Sequence, residues 1–254
     1  MAVKLTNNSS SKEENMSNNS DHVTSGSAVL HSKEVAAMSH KFAEGYARVR
    51  DVTDRDSALP AWAKALYMAA AAAVKGHVEL MQRELGRSKD LGLSLNDARG
   101  ASLTVFISRG EAVYSRFTNA VNELFGEELG EPSEESPDFD IDKQFCLDYF
   151  QDYFGFIPTY VELMAEEASR ALEGYVLMRE FSLAENLLEA KHVELLLVTV
   201  NAAEFSSRFV NVHANGARKA GATEAEIVES VICALPVSGV ATWLPGADGI
   251  MEGR

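Results

Sequence analysis

The sequence predicts an all-α protein made by tandem duplication of one helical unit. Three observations carry this. Apolar residues recur with helical periodicity along nearly the whole chain, with no convincing alternating strand. An ungapped internal repeat runs at a constant offset, and an acidic, proline-bearing stretch lies between the two copies.

In chain order, residues 1–30 are rich in Asn and Ser and lack the apolar segment of a secretory signal, so they read as a disordered tail. Residues 31–123 form the first helical repeat. Within it, AWAKALYMAAAAAV is the nearest approach to a membrane span. It contains Lys64 and falls short of the roughly 20 apolar residues a span requires, so a buried helix is expected. Residues 124–142, including GEELGEPSEESPDFDID, have almost nothing to bury and read as an acidic linker. Residues 143–254 form the second repeat.

The repeat is specific. Glu44-Gly45-Tyr46 recurs as Glu173-Gly174-Tyr175, an offset of 173 − 44 = 129. The same offset relates Arg50 to Arg179, Leu66 to Leu195, Gly92 to Gly221 and Gly110 to Gly239. Gly92 and Gly221 each close a helical pattern, where positive φ is wanted. Each is followed by a helix start in which a hydroxyl caps and an acid three positions on reaches back: Ser94 with Asp97, and Thr223 with Glu226. Chance similarity between two alanine-rich helical segments does not account for five matches and a matched cap in one register.

The copies part company at the polar positions. The second holds Glu194, Ser206, Arg208, Phe209 and His213; in the same register the first holds Ala65, His77, Glu79, Leu80 and Glu84. The first repeat is therefore degenerate, and a single active centre per chain falls in the second. Glu194 stands in the apolar run VELLLVTV, where an unpaired carboxylate is costly. His213 lies in another apolar stripe, between Phe209, Val210 and Ala217. Adjacent antiparallel helices would bring the two together, fixing the imidazole tautomer and leaving one ring nitrogen free for proton transfer. A purely structural buried pair is the alternative, and the residues alone leave both open.

The stretch from Phe154-Gly-Phe-Ile-Pro158 through Leu188–Glu194 to His213-Ala-Asn-Gly-Ala-Arg-Lys-Ala-Gly221 and on to Ile227 resembles the carboxymuconolactone decarboxylase superfamily, which includes the alkylhydroperoxidase D proteins. The resemblance covers roughly residues 143–243, and the first copy only through the repeat. It implies an alkylhydroperoxidase D-like helical unit and assembly into a homo-trimer, a pseudo-hexamer given two copies per chain. In the peroxidase branch a glutamate, a CxxC pair and a histidine act together. Here the glutamate and final histidine fall at Glu194 and His213, but the cysteine positions hold Ser206 and Phe209, and the intervening histidine is Arg208. Thiol chemistry is thereby disfavoured. The decarboxylase branch keeps acid and histidine without the cysteines. It implies loss of CO2 from a small carboxylic acid or lactone by cofactor-free, metal-free general acid–base catalysis, with Glu194 and His213 catalytic. Ser206, Arg208 and Phe209 are the candidate substrate-binding residues. Ser206 either donates a hydrogen bond or fills space, and Arg208 either clamps a carboxylate or lies on the surface. The second reading of the chain is a non-catalytic assembly or binding protein of the same fold.

The net charge of −15 disfavours nucleic acid and anionic membranes as partners. Two cysteines, Cys146 and Cys233, match no paired spacing and fit a reducing cytoplasm. Glu189 and His192 have ExxH spacing but lack the second motif a di-metal site needs, so His192 is expected exposed or beside a pocket. His77 and Glu84 are expected on a surface or interface. The aromatic cluster of Phe145, Tyr149, Phe150, Tyr153, Phe154 and Phe156 reads as core or interface. His22, His31 and His40 carry no visible partner.

Overall fold

A computed structural model describes residues 27, 29–30, 32–126, 141–183 and 185–252. Nearly all of the expected tail, and linker residues 127–140, lie outside the described residues, as do His22 and His31. Among the described residues the regular structure is entirely helical. Helices α1 (Lys33–Met38), α2 (His40–Asp54), α3 (Ala61–Lys75), α4 (Val78–Asp90), α5 (Leu95–Arg109) and α6 (Glu111–Phe125) precede the acidic stretch. After it come α7 (Lys143–Phe154), α8 (Thr159–Glu167), α9 (Ser169–Leu183), α10 (Ala190–Ala203), α11 (Ser207–Lys219), α12 (Glu224–Ile232), α13 (Leu235–Ser238) and α14 (Trp243–Glu252).

The alanine-rich run is α3, whose face of small residues packs against α10 at the centre of the molecule. Leu66, Tyr67 and Leu85 from the first half share one core with Leu195, Val198 and Ile227 from the second. A smaller core of Cys146, Phe150, Val161, Ala165, Leu172 and Val176 joins α7, α8 and α9. No helix among the described residues is long and apolar enough to cross a membrane.

Helix bounds recur at the offset read in the sequence: α2 and α9 begin 169 − 40 = 129 residues apart, and α3/α10 and α4/α11 keep the same separation. Gly92 and Gly221 have φ of +109° and +88°, as their turns demand. Ser94 accepts from the Asp97 amide, and Thr223 with Glu226 forms the complete reciprocal cap.

Polar ties cross between the halves. Glu229 of α12 accepts from the Ala58 and Leu59 amides, and its carboxylate pairs with the buried Lys64 at 3.3 Å. Lys64 also donates to Val52 O at 2.7 Å and Ser57 Oγ at 2.6 Å, so its three protons are satisfied.

Two expectations are corrected here. Glu84 lies on no surface: it is fully buried, accepting from Arg50 at 2.9 Å and Arg87 at 2.8 Å. Arg87 lies one turn along α4 itself, and Arg50 reaches Glu84 from α2, so the acid is paired from two sides. His192 is buried too, its Nδ1 hydrogen-bonded with the Tyr67 hydroxyl at 2.6 Å and the Trp62 ring 4.9 Å from its own. His77, by contrast, is exposed at the start of α4.

Candidate active site

Helix α10 is built from leucine, valine and alanine, so almost every face is buried. Helix α11 is strongly amphipathic and packs along it, with Val210, Ala214 and Ala217 turned inward. A tight turn at 204–206 joins them. Its geometry is a glycine-type helix stop, with the Phe205 amide bonded to Ala202 O and the Ser206 amide to Asn201 O. Phe205 takes φ +60° there and is the one non-glycine with positive φ among the described residues. The corresponding residue of the first half is Gly76, at φ +76°.

The turn reverses the chain, so the middle of α10 faces the middle of α11. There His213 Nδ1 lies 2.8 Å from Glu194 Oε2. A carboxylate only accepts, so Nδ1 carries the proton and Nε2 is left with its lone pair in the neutral ring. No hydrogen bond from Nε2 to another described residue is formed. The side chains retain 19% and 12% exposure, His213 and Glu194 respectively, so the pair sits at the edge of the core within reach of water. The carboxylate packs on Gly216, one turn beyond His213, where a Cβ would lie only 2.5–2.6 Å from it.

The remaining candidates sit at the start of α11. Ser206 precedes the helix without capping it through its side chain. Arg208 is exposed, its guanidinium 6.0 Å from the Phe209 ring centroid. Phe209, at 51% exposure, lies on the His213 side of the helix one turn before it. The open apolar groove of about 410 Å³ bounded by Tyr160, Leu163, Met164, Glu167 and Tyr175 lies on α8 and α9 and includes none of these residues.

Both cysteines are free and buried. Burial pushes the Cys233 thiol up to about 12, well away from a nucleophilic thiolate at neutral pH. Burial also lowers the His192 imidazole and raises the Tyr67 hydroxyl well above its usual range. A neutral phenol therefore meets a neutral ring. Among the described residues no group of three or more His, Cys, Asp or Glu side chains is arranged to hold a metal ion.

An all-helical protein with an acid–imidazole pair on facing helices is the class this geometry defines. Residues 170–248 match the model of the Carboxymuconolactone decarboxylase family, a span that holds Glu194, Ser206, Arg208, Phe209 and His213. The resemblance read in the sequence is shown over that span. The chain matches no curated protein.

Two features escaped sequence reasoning, one in the site and one elsewhere in the core. Gly216 was visible only as one glycine inside an apolar stripe, and its contribution is the absence of a side chain. The partnership of Tyr67 with His192 joins positions 125 residues apart, and no local pattern announces it.

Proposed function

We propose that the protein is a decarboxylase-like enzyme acting on a small carboxylic acid or lactone through general acid–base catalysis by Glu194 and His213. The observation that carries this reading is the 2.8 Å bond between His213 Nδ1 and the Glu194 carboxylate, in a pair that keeps partial exposure and with no bond from Nε2 to another described residue. In the reaction the bond to the departing carboxylate breaks and its electron pair stays on carbon as an enolate-like carbanion. His213, doubly protonated, delivers its Nε2 proton to that carbon, and solvent restores it. Glu194 holds the ring's tautomer and direction throughout. Ser206 stands just before α11, seven residues ahead of His213, and Arg208 lies in its first turn; an extended substrate carboxylate or hydroxyl would meet them there. Phe209 offers an apolar face between them and the histidine.

The buried state of both thiols, and the serine and phenylalanine where a redox pair would stand, count against peroxide reduction. The shared helix bounds support an origin of the two halves as copies of one unit, the second alone keeping the acid–imidazole pair.

The test is to screen ring-cleavage lactones and related small acids for CO2 release by the full chain, with thiol-dependent peroxide reduction as the parallel assay. Release of CO2 that persists when Cys146 and Cys233 are both replaced by alanine is the expected result. Thiol-dependent turnover would overturn it, and an absence of turnover on the whole panel favours the assembly-protein reading.

A further inference from the structure

We propose that Gly216 is the positioning residue of the acid–imidazole pair: the bare backbone at this point of α11 is the seat on which the Glu194 carboxylate is held toward His213. This rests on the dyad reading above and adds a residue to it. A Cβ built at position 216 would meet Glu194 Cδ at 2.5 Å and both carboxylate oxygens at 2.6 Å, closer than carbon atoms approach in folded proteins. The neighbours in conflict are the tip of one flexible side chain, so the helix backbone need not move; the carboxylate must. Glycine in a helix interior is otherwise unfavourable relative to alanine, so its place here calls for such a reason.

The first half shows the complementary arrangement. Offset by 129, the Glu194 position is Ala65 and the Gly216 position is Arg87. A long side chain on one helix goes with a minimal one on the other, and the two halves make opposite choices. Arg87 spends its Nε on Glu84 at 2.8 Å, the residue standing where His213 stands in the second half. Positions 194 and 216 thus differ together between the halves, the acid going with glycine and the alanine with arginine.

The experiment uses the full chain labelled with 15N-histidine. Wild type should show a hydrogen-bonded His213 Nδ1–H signal, assigned by its loss in His213→Asn. Gly216→Ala should keep its helical circular dichroism and lose that signal, the ring passing to mixed tautomers. Persistence of the wild-type signal in Gly216→Ala would overturn the proposal. A stability cycle gives the second measurement. Gly216→Ala should raise Tm more in a Glu194→Ala background than in wild type, because the collision exists only while the carboxylate does. Equal shifts in both backgrounds would also overturn it. Absence of the signal in wild type would instead sink the dyad itself, so the two failures are told apart.

Discussion

Glu194 would be a costly residue in its helix were it not for His213, and His213 would have no fixed tautomer without Glu194. Glu194→Gln keeps the shape and removes the anionic acceptor, so turnover should fall on the order of 10²-fold or more, with KM changing far less. A Glu194→Gln enzyme with unchanged kcat would remove the acid from the mechanism. His192 makes a separate prediction about stability. Burial lowers its folded-state value below the ordinary 6.5, and Glu189, Lys191, Glu226 and Asp97 are the charged groups around it. A depressed value means that the unfolded chain takes up the proton first. The stabilisation is thus complete above pH 6.5 and is lost as pH falls below that value toward the folded one. Tm should decline from pH 6.5 to 5 more steeply in wild type than in His192→Gln, which keeps an acceptor for Tyr67; parallel slopes would contradict this. At this scale the sequence revealed polar residues lodged in apolar stripes, because a charge among leucines is visible in one dimension. It hid Gly216 and Tyr67, whose roles arise only when helices distant in sequence meet.

Helices were the most legible level. Periodicity, caps and the glycines at 92 and 221 were all readable because each is local chemistry within a few residues. The burial of Glu84 is not legible on α4 alone, because one of its two partners comes from another helix: Arg50 on α2 enters the core and pairs with it at 2.9 Å, beside Arg87 on α4 itself. That buried network binds α2 to α4, with Asp54 also 2.9 Å from Arg50. Arg50→Ala should cost about 3–5 kcal/mol by leaving Glu84 buried without that partner. The double change to Arg50→Leu with Glu84→Met should cost less than Arg50→Ala alone in denaturant unfolding, and strict additivity would argue against the network. The turn before α11 is a second local matter. Phenylalanine at φ +60° is strained by roughly 1–2 kcal/mol, a strain its counterpart Gly76 avoids.

At the scale of the whole molecule, a core shared by α3 and α10 makes the two halves depend on each other, and the site rests on that core. Apolar side chains stand exposed on α11, at Phe209 and Val212, and around the start of α14, at Val240 and Leu244. Exposed apolar side chains are what an interface between copies would cover, and if the chain forms the trimer expected from the family resemblance, light scattering at micromolar concentration should return three chains; a monomer would contradict it. The sequence could not settle which chemistry the site performs, since the same pair serves several reactions and the substrate's contacts are not written in helix periodicity. The decisive measurement is CO2 release by His213→Ala on the substrate that wild type turns over, with helical circular dichroism recorded on the same sample. The account predicts unchanged helix content and no detectable turnover. Full activity in a folded His213→Ala protein would contradict it.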